Sequence, residues 1–339
     1  MMDRADRWDR RKFVRDVACA ATAGAAGLRP QRVLAEPPPE TTKLRVLRTG
    51  GICWAPQLIA EQLLLTEGFS EIQYVEVFVG DAIAKALAAD QADLSMQFVA
   101  PNIIRVEAGD PIVFLAGGHV GCLELRGGER VHTLHDLKGK TVAVSAIGSV
   151  EYVFISSMAA YVGLDPRRDI HWVPRPLDVS MPQLAEGTID AVMTFPPFAQ
   201  QMREKKFGRV IVNTATDRPW SQYFCCIVVG RREFVHRYPV ATKRALRAIL
   251  KAADVCALEP ERAARSLLDK GYVKQYDVAL QTMKDLPYGK WREYNPEDTI
   301  RFYALRLHEA GLIKSSPQKI LAQGTDWRFL NELKKELKG

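Results

Sequence analysis

The chain holds no run of 18 apolar residues, so it offers no helix long enough to cross a bilayer. It also lacks the patterns that mark familiar enzymes. There is no G-x-S-x-G elbow, no H-E-x-x-H, no P-loop and no G-x-G-x-x-G after a strand. The histidines (His119, His132, His135, His171, His236 and His308) are scattered. Only His132 and His135 have metal-like spacing, and they sit in a polar connection that reads as solvated loop. The six cysteines form no C-x-x-C and no Cys/His spacing of a zinc site. These absences predict no catalytic set, no metal and no cofactor. Arg126, Arg130, Arg231 and Arg232 have no aromatic interleaving and read as surface. The net charge is +7, and without the first 35 residues 39 basic and 36 acidic residues remain, a net +3. Nucleic acid is therefore not an expected partner.

What is present starts with a leader. Arg10-Arg11-Lys12-Phe13-Val14 resembles a twin-arginine export signal. A mild Ala-rich stretch follows, and Val33-Leu34-Ala35 places small residues for a cleavage. Residues 1–35 are read as a twin-arginine-type signal peptide and residues 36–42, with EPPPE, as a stiff linker. The mature protein is expected in the periplasm. Cys19 lies too early in the apolar stretch for lipid attachment. Five cysteines remain, an odd number that leaves at least one free thiol. Cys225 and Cys226, in FCCIVV, read as small buried hydrophobes.

The length suits about two domains, and a repeat supports that. Residues 87–96 read LAADQADLSM and residues 184–193 read LAEGTIDAVM, 97 positions apart. At the same offset, strands at 43–48 and 141–145 end in glycine loops that place Gly148 on Gly51. Helices follow at 55–65, with Pro56 in the first turn, and up to Val162, after Ser149. Strands follow at 72–79 and 170–173, helices at 82–89 and 181–186, and strands at 93–98 and 190–195, with Asp81 a further cap. The segment 111–126 reads as one strand linking two lobes, and 224–230 as the return. Helices are expected at 239–256, 260–270, 296–310 and 326–337. Alternating strands and helices predict parallel sheets flanked by helices.

These residues resemble a known family. The stretches LRVLRTGG…APQLIAEQLLLTEGF, GDAIAKALAADQADLSM, DLKGKTVAVSAIGS, GLDP and LAEGTIDAVMTFPP are similar to the extracytoplasmic substrate-binding proteins of ABC importers, in the nitrate/sulfonate/taurine, NMT1/THI5-like group. The resemblance covers about residues 43–270. It implies an α/β chain of two Rossmann-like lobes joined by a two-strand hinge, the periplasmic binding protein type II fold, with C-terminal helices packed on lobe one. Lobe one is expected at 43–125 and 224–339, lobe two at 126–223.

In such sheets the ligand sits beyond the carboxyl ends of the strands. The expected ligand-binding residues are Thr49, Gly50 and Gly51 in the first loop and Ser145, Gly148 and Ser149 in the second. Both loops open helices, whose free N–H groups favour an anion. Trp54, Phe98, Tyr152, Phe195 and Tyr223 are aromatic candidates, and Gln97 and Ser221 polar ones. Asp93 and Asp190 repeat, but an acid before a strand reads as a turn residue. The expectation is a monomeric periplasmic solute-binding protein that carries a small organic anion (a sulfonate, carboxylate or aromatic acid) to an ABC permease and its ATPase. The rivals are an enzyme on the same fold, THI5-like or decarboxylase-type, and a ligand-sensing partner of a membrane receptor. For the THI5-like enzyme only Cys225-Cys226 speaks, since the fuller Cys-rich motif is absent.

Overall fold

The computed structural model describes residues 36–77 and 82–337. The expected leader and the expected Asp81 cap lie outside them. Ten strands are described: β1 (Lys43–Arg48), β2 (Glu71–Glu76), β3 (Leu94–Phe98), β4 (Ile112–Val120), β5 (Glu124–Gly127), β6 (Lys140–Val144), β7 (Ile170–Pro174), β8 (Ala191–Thr194), β9 (Arg209–Asn213) and β10 (Phe224–Arg231). They form two sheets with orders β2-β1-β3-β10-β4 and β7-β6-β8-β5-β9. In each sheet three parallel strands come from one copy of the repeat. An antiparallel strand, β10 or β5, then inserts beside the third. The chain thus passes between the sheets twice, at Gly121–Leu123 and at Thr214–Tyr223. No helix among the described residues is long and apolar enough to cross a membrane.

The repeated phrase has a structural reason. The Asp93 N–H donates to Arg45 O at 2.9 Å, and the Asp93 carboxylate accepts from the Arg45 N–H at 2.9 Å. Asp190 does the same to Thr141, its carboxylate again accepting at 2.9 Å. Each aspartate pins the start of a third strand to a first strand. The turn before it needs a left-handed residue, supplied by Asp90 (φ 57°) and, 97 residues on, by Gly187 (φ 73°). Gln57 completes the first sheet. Its buried amide donates to Leu47 O at 2.7 Å and accepts from Met96 N, bridging β1 and β3 where they pair at one position.

Several expected elements change. The helix expected at 55–65 breaks into Ala55–Ile59 and Glu61–Thr66, preceded by a 3-10 turn, Ile52–Trp54. The single strand expected at 111–126 is two strands in different sheets, because Gly121 (φ 55°) turns the chain between them. The helix expected from Met181 begins at Leu177, with Pro182 inside it. Arg126 is buried rather than on the surface. In β5, between β8 and β9, its guanidinium pairs with Glu124 at 2.9 Å and donates to Phe207 O and Gly208 O. Burial raises the Glu124 carboxyl above its ordinary value, against the pull of Arg203 and Arg126. Arg231 is likewise committed, to Asp90, Asp93 and Glu233.

The C-terminal helices lie mainly on the first sheet's side. The helix Pro239–Leu258 packs on Ala55–Ile59 and Glu61–Thr66, while Pro296–Glu309 packs on both Val99–Glu107 and Val150–Tyr161. The linker is not idle. Glu40 accepts from Val240 N and Ala241 N at 2.9 and 2.8 Å, capping the long helix. Its partial burial pushes the carboxyl up, but these backbone donors outweigh that and hold it below its ordinary value.

A Cβ on Gly121 would stand 2.2 Å from Ala215 Cα, on a left-handed backbone. Gly121→Ala should therefore cost about 2 kcal/mol or more in urea unfolding, through overpacking and strain. Gly139→Ala, also left-handed but in open space, should cost about 1 kcal/mol. Equal losses would show that the crossings are not tightly packed. Glu40→Gln should lose about 0.5–1 kcal/mol at neutral pH. Because the folded-state pKa is depressed, that advantage of Glu40 is present above the ordinary carboxylate range. It should vanish as pH falls through the folded pKa, and a pH-independent difference would refute the charged cap.

Candidate functional site

The carboxyl ends of β1 and β6 face one cleft. From β1 the chain runs through Thr49-Gly50-Gly51, where Gly51 N donates to Thr49 Oγ1 at 3.3 Å, into the 3-10 turn. From β6 it runs through Ser145 to Ser149, which caps Val150–Tyr161 by accepting from Tyr152 N. Gly148 takes φ 86°, a left-handed conformation that fits glycine. Between these loops lies a cavity of about 260 Å³, joined by shared Ile83, Phe98 and Val150 to a second of about 190 Å³.

Most expected site residues meet here. Thr49, Gly50, Gly51, Trp54, Phe98, Ser145 and Phe195 line the larger cavity; Gln97, Phe98 and Gly148 line the smaller. The aromatic wall is continuous. The Phe98 ring lies 5.9 Å from Trp54, 5.9 Å from Phe195 and 6.3 Å from Phe154, and Phe195 lies 5.9 Å from Phe198. Phe98 and Phe195 are repeat equivalents, so corresponding positions of the two sheets touch edge to face.

Four expected residues do not line these cavities. Ser149 is buried as a helix cap. Tyr152 packs on Trp172 at 4.7 Å, since the helix turns about 100° per residue and gives the cavity-facing places to Val150 and Glu151. Tyr223 stacks on Phe302 at 4.0 Å and lines a separate surface depression with Tyr294 and Arg301. The Ser221 carbonyl accepts from Tyr294 OH at 3.3 Å. Tyr223 thus belongs to the packing of the Pro296–Glu309 helix, and Ser221 to that of Tyr294 just before it.

Sequence reading missed Glu151, Asn102, Phe198 and Cys53. Glu151 is the one charged side chain among the described residues lining the larger cavity, and it is buried, accepting from Ser145 Oγ at 2.9 Å. Its signal was its place in the first turn after a glycine loop. Asn102 donates to Gln97 Oε1 at 3.0 Å and to Phe98 O at 2.9 Å. That leaves Gln97 Nε2 and Asn102 Oδ1 buried without partners, as is Trp54 Nε1. Gln97, Asn102 and Trp54 all line the two cavities, so these unpaired atoms belong to residues of the cavity walls. The smaller cavity also has Arg105, whose charge is held by Asp110 through bonds of 2.6 and 2.8 Å.

Comparison with known proteins agrees with this architecture. Residues 80–268 match the profile of the NMT1-like family. No curated protein matches the chain. Among solved structures, the periplasmic nitrate-binding protein NrtA from Synechocystis PCC 6803 superposes with a TM-score of 0.73 at 15% identity, covering 89% of this chain and 90% of that one. The alkanesulfonate-binding protein SsuA from Xanthomonas axonopodis pv. citri, bound to MOPS, gives 0.68 at 17%, covering 86% and 99%. The periplasmic aliphatic sulphonate binding protein SsuA from Escherichia coli gives 0.67 at 19%, covering 85% and 94%. The shared fold is that of the periplasmic binding proteins.

Proposed function

The chain belongs to the NMT1-like family, and from that premise we propose that it is an extracytoplasmic solute-binding protein of an ABC importer. In this reading the two sheets are the cores of two lobes, residues 43–125 with 224–339 and residues 126–223, which close on a solute about the two crossings. The protein is exported to the periplasm, works as a monomer, and hands its solute to a membrane permease driven by an ATPase. The observation that carries the reading is the meeting of Phe98 and Phe195 at the wall of one cavity. A solute held there touches both sheets, and differential contact of that kind is what shifts an open–closed equilibrium. The nitrate- and sulfonate-binding proteins of like fold support the solute-binding role.

The ligand we favour is a small organic molecule with a flat apolar body and a nitrogen-borne donor, neutral or cationic, toward Glu151. The organic-anion expectation rested on two free helix ends. At the first loop the chain forms only a 3-10 turn and a five-residue helix, whose dipole is weak. At the second, Glu151 itself supplies negative charge to the first helical turn. An acceptor group on the same ligand would suit the unpaired Trp54 and Gln97 N–H donors. Both are on the same cleft.

A thermal-shift panel of sulfonates, aliphatic and aromatic acids, and amine- or amidine-bearing heteroaromatics tests this. A nitrogen-bearing compound at a hundred times its Kd should raise Tm by roughly 5 °C. In calorimetry Glu151→Gln should weaken it at least about tenfold, the scale of a lost charge-assisted hydrogen bond. Stabilisation by sulfonates alone, undiminished in Glu151→Gln, would overturn the ligand class and leave the solute-binding reading standing. Turnover of a bound compound would overturn the solute-binding reading.

A further inference from the structure

The five cysteines in the described residues are all buried, and three of them converge with a histidine. Cys53 follows the first loop, His119 is on β4, Cys122 is in the first crossing and Cys226 is on β10. One ligand atom from each lies within 4.8 Å of every other, and all four residues are buried. We propose that Cys53, His119, Cys122 and Cys226 form a structural Zn²⁺ site beneath the wall of the solute cavity. This inference is independent of the solute's identity.

The donor set is the first argument. Three sulfurs and one imidazole nitrogen with no further ligand are a closed tetrahedral zinc shell. With Zn–S bonds near 2.3 Å the sulfurs of such a shell stand about 3.8 Å apart. The cluster therefore needs to contract by about 1 Å at its widest pair, within reach of side-chain rotation. Carboxylates, which would favour a harder cation, are absent from the set.

The imidazole is the second argument. His119 Nδ1 lies 2.8 Å from Gly121 O and 3.3 Å from Val120 O. Both are acceptors, so Nδ1 donates there and Nε2 is the nitrogen left to offer a metal. Nε2 is buried with no partner. A histidine that donates one nitrogen to a backbone carbonyl and offers the other is the usual arrangement of a metal ligand. The ring is held further by Tyr288, edge-on at 5.3 Å, whose hydroxyl donates to Cys53 O at 3.2 Å. The positioning is thus built around the cluster as well as in it.

Place is the third argument. The ligands come from the loop that lines the solute cavity, from β4, from the first crossing and from β10, the strand that follows the second crossing. A metal there ties Cys53, which itself lines the cavity, to β4 and β10. A thiol that becomes a ligand gives up its proton to solvent as the Zn–S bond forms. The competing chemistry is also visible. Cys225 Sγ is 2.9 Å from Cys122 Sγ, and a disulfide between them would take Cys122 out of the donor set.

The test is metal analysis of the full chain, purified reduced and without chelator, followed by titration with Zn²⁺ and with Co²⁺ as a spectroscopic stand-in. The expected result is close to one zinc per chain. Co²⁺ should give a thiolate charge-transfer band and the ligand-field bands of tetrahedral coordination. His119→Gln and Cys226→Ser should each weaken uptake more than about tenfold, while Cys256→Ser, buried outside the cluster, should leave it unchanged. Should Cys226→Ser fail to fold, the Co²⁺ spectrum of the wild type and the His119→Gln titration decide alone. Folded, reduced protein that takes up neither metal would overturn the proposal. So would His119→Gln binding as tightly as wild type, or a Cys122–Cys225 disulfide in the native protein together with no zinc.

Discussion

The fold depends on two chain segments passing each other between the sheets. Gly121 turns the first, and Thr214 of the second holds it there. The Thr214 hydroxyl accepts from the N–H groups of Cys122 and Leu123 at 3.1 and 2.9 Å and donates to Leu123 O. These contacts are buried, so each group left unpaired would cost roughly 1–3 kcal/mol. Because the segments cross, β5 completes one sheet and β10 the other. The second sheet is laid down by one continuous stretch, β5 to β9, whereas the first is finished only when β10 returns after it. The two crossings on either side of β5–β9 hold the two sheets, and so the two facing loops, together.

The repeat made much of this legible. An offset of 97 residues aligned Gly148 with Gly51 and Asp190 with Asp93, and both pairs occupy matching places. Both glycines follow a first strand, Gly148 left-handed at φ 86° and Gly51 extended, and the aspartates pin a third strand to it. Local chemistry sufficed because each device acts within one strand–loop–helix unit. The strand expected at 111–126 failed for the opposite reason. PIVFLAGGHVGCLELR is apolar throughout, and only tertiary packing shows that Gly121 ends one strand and starts the path to another sheet.

The site was legible as far as the loops and no further. Glycine and serine loops after strands pointed to Thr49, Gly51, Ser145 and Gly148, and the aromatic pair Phe98 and Phe195 came with the repeat. Which residue of a helical turn faces the cavity depends on a rotation that sequence does not reveal, so Tyr152 was favoured where Glu151 stands. Tyr223 was placed by its nearness to β10, yet Phe302, from a helix about 80 residues on, claims its ring. The Cys–His cluster was invisible to spacing rules because its four members come from segments up to 173 residues apart, between Cys53 and Cys226. Alone, His119 reads as one of six scattered histidines and Cys226 as a small buried hydrophobe.

The central claim is that one solute occupies the cleft between the sheets. Native mass spectrometry of protein purified gently from its producing cells tests it most directly, run on wild type, Phe195→Ala and Tyr223→Ala. The account predicts a single small mass on the wild type that leaves on unfolding. That mass should be kept by Tyr223→Ala and lost or strongly reduced in Phe195→Ala. A bound mass that Phe195→Ala retains in full, or that only Tyr223→Ala loses, would contradict it.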